Sequence, residues 1–179
     1  MNILALAFGI ASLHFVCPLQ AQTRDAVNWT TFESTPGRYQ VAFPRAPVMK
    51  QGKLRTEIGD VVSVRHSAGD GSDATYDVTY TDYPGARVAG LSAATLLETV
   101  RDGLVYQAKG KLISDKPFTI GKVSGREQEI VGGDGMRYRI RLLLVERRLY
   151  QLTAMARPPA QPDERKFFGS FQLTGVTSP

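Results

Sequence analysis

The stretch Met136-Arg-Tyr-Arg-Ile-Arg-Leu-Leu-Leu-Val-Glu-Arg-Arg-Leu-Tyr-Gln-Leu-Thr-Ala-Met-Ala156 decides the fold. Two long runs of strand-forming residues meet at a tight connection, and together they make the most hydrophobic hairpin in the chain. Such a hairpin belongs at the centre of a sheet. A two-residue turn at Glu146-Arg147 sets Leu144 opposite Leu149 and Leu143 opposite Tyr150, so both faces are apolar near that end. Helices are expected to cover both sides there.

At the other end of the hairpin, Arg137, Arg139 and Arg141 share one face of a strand, a geometry that could hold a phosphate or a carboxylate. The preceding strand, Arg126–Val131, offers a competing explanation. A three-residue loop Gly133-Asp134-Gly135, with Gly135 left-handed, pairs Ile130 with Tyr138, Glu129 with Arg139 and Glu127 with Arg141. A tighter loop would set Arg126 against Arg141, like charge against like. The first register is therefore favoured, and in it two of the three arginines are matched by glutamates, each exposed pair contributing about 0–1 kcal/mol.

The rest of the chain reads as strands and two helices. Ser34-Thr35-Pro36-Gly37 supplies a turn after Trp29 and Phe32, and Arg38–Phe43 alternates with Tyr39, Val41 and Phe43 on one face. Val48 to Tyr83 reads as a three-stranded meander: Val48–Ile58, a turn at Gly59-Asp60, Val61–His66, a loop over Ala68–Asp73, and Ala74–Tyr83 with Tyr76, Val78 and Tyr80 aligned. Ala93, Leu96, Leu97, Val100 and Leu104 form one helical stripe. Ser92 is the expected N-cap, Gly110 the stop, and Gly103 a place where the helix could approach the sheet closely. Lys111–Ile120 carries Pro117, which suggests an edge or a bulge. Pro162 opens a short helix to Ser170, anchored by Phe167, Phe168 and Phe171.

The 179 residues suffice for one domain with a real core, and the composition, 42% hydrophobic and 22% charged, is that of an ordinary globular chain. Lys and Arg number 22 against 17 Asp and Glu, a net charge of +5. That balance favours weak attraction to anionic surfaces, but acids and bases are interspersed, as on a soluble mixed surface. Residues 1–21 hold no Asp, Glu, Lys or Arg, and Ile3–Val16 is too short for the roughly 20 residues of a membrane span. A signal peptide cleaved after Ala21 is expected, with 22–28 a short linker, 29–173 one domain and 174–179 a frayed tail. No basic residue precedes the apolar run and Leu19 is bulky for its place near the cut, so a first helix or strand of the domain is the competing reading. Cys17 is the only cysteine; His14-Phe15-Val16 before it lacks the small residue of a lipidation site, so lipid attachment is not expected.

Candidate chemistry is sparse. With one cysteine, no thiolate metal site, disulfide or downstream cysteine nucleophile is available. His66 is the sole histidine beyond the leader and has no nucleophile-elbow serine to serve. Asp70-Gly-Ser-Asp73 lacks the later bidentate glutamate of a calcium loop, and Gly132-Gly-Asp-Gly135 joins strand to strand without a lysine, unlike a phosphate-cradling loop. No cofactor is expected.

Taken in order, Gly37-Arg-Tyr-Gln-Val-Ala-Phe-Pro44, Leu96-Leu-Glu-Thr-Val-Arg-Asp-Gly103, Gly110-Lys-Leu-Ile-Ser-Asp-Lys-Pro117, Gly125-Arg-Glu-Gln-Glu-Ile130 and Arg148-Leu-Tyr-Gln-Leu152 resemble small secreted bacterial domains of the PsbP-like α/β/α type. The resemblance covers nearly all of 29–173 and implies that fold, shared with the extrinsic photosystem II protein and with a nuclear-import accessory factor. Its motifs are turns, a helix face and core strands, and it carries over no catalytic residues. Relatives of this type have a Gly with Asn or Asp at the hairpin turn where this chain has Glu146-Arg147. The expectation is an α+β domain: one antiparallel sheet of six or seven strands with helices packed on it. The function expected first is an exported, non-catalytic accessory or binding module, a monomer without a transmembrane helix in the mature chain, with an unknown protein or envelope component as partner and no nucleic acid. The alternatives are a hydrolase-type enzyme using Asp77, Asp82 and the Arg137–Arg141 face, or an electrostatic binder of anionic envelope surfaces.

Overall fold

The computed structural model describes residues 27–175 apart from 57–58, 86–89 and 91, with the backbone alone for 54–56 and 59. The expected leader and its cleavage after Ala21, and all but the start of the 174–179 tail, lie outside the described residues. Among the described residues, ten strands and two helices follow in the order β1 (Thr30–Ser34), β2 (Tyr39–Phe43), β3 (Val48–Thr56), β4 (Gly59–Gly69), β5 (Ala74–Asp82), α1 (Ala93–Gln107), β6 (Lys111–Ile120), β7 (Val123–Val131), β8 (Arg137–Val145), β9 (Arg148–Ala156), α2 (Glu164–Ser170) and β10 (Gln172–Leu173).

Seven strands form one antiparallel sheet in the order β3-β4-β5-β9-β8-β7-β6, so the β8–β9 hairpin does occupy its middle. Leu144 faces Leu149 and Leu143 faces Tyr150, as the two-residue turn requires. Glu146 takes a positive φ of 56° at the first turn position, the place where type II′ turns demand it. Pro117 lies on β6, an edge strand whose ladder does not need its missing N–H, while the register shift falls between Leu112 and Ser114.

Two expectations about the strands and one about the C-terminal helix are corrected. Tyr39, Val41 and Phe43 are wholly buried, but they belong to a second, three-stranded sheet of order β1-β2-β10 rather than to a single sheet. The alternation fixes which side chains turn inward, and says nothing about which sheet receives the strand. The meander turns earlier than Gly59-Asp60 suggests, because Thr56 pairs with Gly59 and Arg55 with Asp60. The C-terminal helix begins at Glu164 rather than Pro162, since Asp163 is its N-cap and accepts from the Lys166 N–H at 3.0 Å.

Two apolar clusters lie on opposite faces of the large sheet, as strand alternation dictates. One joins Tyr76, Val78, Leu143, Tyr150 and Leu152 to the small sheet and to Phe167, Phe168 and Phe171. Three of its aromatic hydroxyls are hydrogen-bonded: Tyr150 donates to the Gly37 carbonyl (2.9 Å), Tyr39 shares a 2.7 Å hydrogen bond with His66 Nδ1, and the Asp163 N–H donates to Tyr76 (2.8 Å). Burial pushes the Tyr76 hydroxyl up to about 12 and draws His66 below its ordinary value, keeping both neutral.

The other cluster holds Leu96 and Leu97 of α1 against Ile130, Ile140, Leu142 and Leu149. Ser92 caps α1 by accepting from the Thr95 N–H (3.0 Å). At the far end the left-handed residue is Lys109 (φ 46°), not Gly110. Gly110 is needed instead for close approach, since a Cβ there would lie 2.2 Å from the Val131 carbonyl oxygen. Gly103 corrects another expectation: a Cβ there would meet nothing within 4 Å, so its absence serves no contact with the sheet. Gly103→Ala should therefore stabilise the protein by about 0.5–1 kcal/mol through reduced chain entropy, read as a higher urea midpoint.

Candidate functional site

The β7–β8 loop sets the register of the arginine row. Gly135 is left-handed (φ 82°), the Gly132 N–H donates to the Met136 carbonyl (2.8 Å), and Ile130, Glu129 and Glu127 stand opposite Tyr138, Arg139 and Arg141. Arg141 Nε donates to Glu127 Oε2 at 2.7 Å, and its guanidinium lies near the rings of Phe118 and Phe168. Arg137 Nη2 donates to Glu129 Oε1 at 2.6 Å. Arg139 reaches Glu129 Oε2 (3.3 Å) and Glu164 Oε2 of α2 (3.2 Å). The pairing is thus fuller than strand register alone implies: Glu129 serves a diagonal arginine as well as the opposite one, and α2 brings a further acid. The Arg137 hydrogen bond, ahead of the Arg139 charge, holds the Glu129 carboxyl below its usual range.

A groove of about 650 Å³ runs between this row and the segment from Pro158 to Arg165. Arg137, Arg139 and Arg165 line it together with Glu129, Asp163 and Glu164, and Pro158, Pro159 and Pro162 form part of its wall. The formal charges cancel, three against three. Glu129 and Glu164 accept from arginines and Asp163 caps α2, so the groove offers shape, proline faces and fixed charge pairs rather than an acid or base poised for proton transfer.

The other residues singled out from the sequence do not converge on it. Asp77 sits on the opposite face of the sheet, opposite Thr153 and beside Ser67 in register. Asp82 lies at the far end of β5, held by Arg148 at 2.6 and 2.7 Å. His66 is buried against Tyr39 and Phe32. Asp70 Oδ1 accepts from the backbone N–H and hydroxyl of Ser72, closing its own turn. Among the described residues, no three of His, Cys, Asp and Glu are grouped to hold a metal ion, and no helix is long and apolar enough to cross a membrane.

Two features of the α1 face escaped the sequence. Gln128 is wholly buried with neither end of its amide paired, and Asp77 Oδ1 likewise has no partner. Nearby in the fold, Arg101 of α1 and Arg126 both donate to Asp115 (3.1 and 2.9 Å), pinning the helix to β6 and β7. Burial works against the Asp115 charge, but these hydrogen bonds outweigh it and hold its carboxyl below the usual range.

Asp77 is the reverse case. Burial, only partly countered by Ser67 and by Arg65 at 3.8 Å, raises its carboxyl above the ordinary value. A raised folded value favours the native state below the unfolded value and costs stability as pH rises through the folded one. Asp77→Asn should therefore raise the urea midpoint at neutral pH, and the gain should shrink as pH falls through the acid range.

The antiparallel sheets and their strand order define the class: the chain has a PsbP-like fold. The solution structure of cyanobacterial PsbP from Synechocystis sp. PCC 6803 matches over 92% of this chain and 98% of its own, with a TM-score of 0.52 at 12% identity. At that identity the likeness concerns the fold alone. A Pseudomonas aeruginosa protein of unknown function, described as a putative regulator, aligns over 73% of this chain and 83% of its own at 11% identity, but its TM-score of 0.36 carries no argument. No family model matches the sequence, and no curated protein matches it.

Proposed function

We propose that this protein is an exported, non-catalytic accessory module of the bacterial envelope that binds a protein partner. The layering we infer is an α/β/α sandwich over a single domain, 29–173, with α1 on one face of the large sheet and α2 on the other. The observation that carries the binding reading is the groove beside β8. Arg137 and Arg139 are paired with Glu129 and Glu164, and its prolines present apolar faces without free N–H groups. Such a surface suits an extended polypeptide segment of mixed charge better than it suits a reacting small molecule. The apolar N-terminal run, read as a leader, supports export.

The test is affinity capture from envelope extract with the full chain and with an Arg137→Glu, Arg165→Glu double variant. Both side chains are exposed, but Arg137→Glu also removes the 2.6 Å hydrogen bond to Glu129, so the urea midpoint of the variant is measured alongside and capture is compared where both forms are folded. The expected result is a saturable partner retained by the wild type and lost by the variant. Capture indifferent to the charge reversal, or no saturable partner at all, would contradict the reading.

A further inference from the structure

The far end of the central hairpin gathers a second set of arginines. There the β1–β2 turn, the end of β5 and the β8–β9 turn meet around a concavity of about 470 Å³. Arg38, Arg147 and Arg148 line it with Asp82 and Glu146. Unlike the groove beside β8, its formal charges do not cancel: three cations face two carboxylates.

Its floor is built around Arg148. Arg148 donates from Nε and Nη2 to the two Asp82 oxygens and from Nη1 to the Pro36 carbonyl (2.7 Å), with its guanidinium 4.8 Å from the centre of the Tyr80 ring. That arrangement consumes the Asp82 charge. The carboxylate that Arg38 itself pairs with is Glu146. The Arg38–Glu146 contact is long, 3.5 Å, and the Glu146 side chain is 74% exposed. Arg147 makes no ion pair among the described residues; its guanidinium lies over Gly85, where a Cβ would come within 2.7 Å of Nη1. All three guanidinium groups act on one spot, since the Asp82 carboxyl is held down first by the Arg148 hydrogen bonds and then by the charges of Arg38 and Arg147. Both turn tips are held in the left-handed region by residues other than glycine, Arg38 at φ 54° and Glu146 at φ 56°. Such conformations persist where the surroundings impose them.

We propose that this concavity is a binding site for a phosphate-class oxyanion. Arg38 and Arg147 are its ligands, Arg148 its fixed floor, and Glu146 a weak internal competitor displaced on binding. Guanidinium forks present paired N–H donors at the spacing of a tetrahedral oxyanion's edge, which a lysine surface cannot reproduce. A net positive charge inside a concavity concentrates an anion more than the same charge spread over the surface.

The experiment titrates inorganic phosphate into the full chain, with ionic strength held constant by chloride, and follows backbone amide shifts. Saturable shifts are expected at the two turns, 35–38 and 146–148. Arg147→Gln and Arg38→Gln should each weaken binding about tenfold, whereas Glu146→Gln should tighten it. Lys111→Gln changes the net charge equally at an exposed position near the opposite end of the sheet and should leave affinity unchanged. Arg147→Gln decides the matter alone if the Arg38 variant folds poorly. A parallel arm sediments the protein with phosphatidylglycerol vesicles. Arg147-dependent sedimentation assigns the phosphate to a lipid headgroup; phosphate binding without sedimentation assigns it to a free ligand. Binding in neither arm, or equal loss in Lys111→Gln and Arg147→Gln, overturns the proposal.

Discussion

Replacing Phe167 with alanine is expected to cost about 3–5 kcal/mol of folding stability, the largest single effect of a side-chain truncation in this protein. The residue is wholly buried. Its ring centre lies 5.7 Å from Phe43 of the small sheet, 5.2 Å from Tyr76 of the large sheet and 5.3 Å from Phe168. Three parts of the fold therefore meet on one side chain. Helix α2, only seven residues long, cannot hold itself together without that packing. Removing the ring leaves a cavity between layers that the rigid sheets cannot close, so both the transfer loss and the cavity cost are felt. Urea unfolding followed by far-ultraviolet circular dichroism measures the loss; a change below about 1 kcal/mol would mean that the layers are joined elsewhere.

The second large effect is expected at Gly125, in the middle of the β6–β7–β8 ladder. A Cβ there would lie 2.4 Å from the Leu142 carbonyl oxygen, 2.6 Å from the Phe118 ring and 2.9 Å from Leu143 Cδ2. The first of these is backbone of a central strand and cannot swing aside as a side-chain end can. Gly125→Val should destabilise the protein by about 3 kcal/mol through overpacking, again read in the urea midpoint. The contrast with Gly103 is direct: the same class of residue is required at one position and dispensable at the other. Sequence position alone does not separate them, because the distinction depends on what faces the α-carbon.

Local chemistry made the central hairpins legible. Glu127 and Glu129 against Arg139 and Arg141, with Gly135 available for the left-handed loop position, left one register that avoids opposing like charges, and that register is the one observed. The hydrophobic density of Leu142–Val145 and Leu149–Leu152 placed the hairpin in the sheet centre for the same kind of reason. The small sheet was not legible. Tyr39, Val41 and Phe43 show only that one face is buried, and their partner β10 is two residues long, below any periodic signal. Gly59-Asp60 looked like a turn by composition, yet cross-strand pairing placed it inside the ladder.

The sites divide similarly. The arginine row of the groove was visible because its members share one strand. Glu164, which completes the Arg139 pairing, comes from a helix after the hairpin and carries no local mark of that role. The second arginine cluster joins Arg38 to Glu146, 108 positions away, at the tips of two different hairpins. Contacts of that separation follow from topology and not from any pattern along the chain.

The central claim is that a partner polypeptide seats in the groove between β8 and the Pro158–Arg165 segment. Amide hydrogen exchange of the full chain, alone and bound to the captured partner, tests it most directly. The result expected is slowed exchange over 137–141 and 156–168 in the complex, with edge strand β3 unchanged. Protection along β3 with none beside the groove would contradict the claim, because the partner would then be adding a strand to the sheet edge.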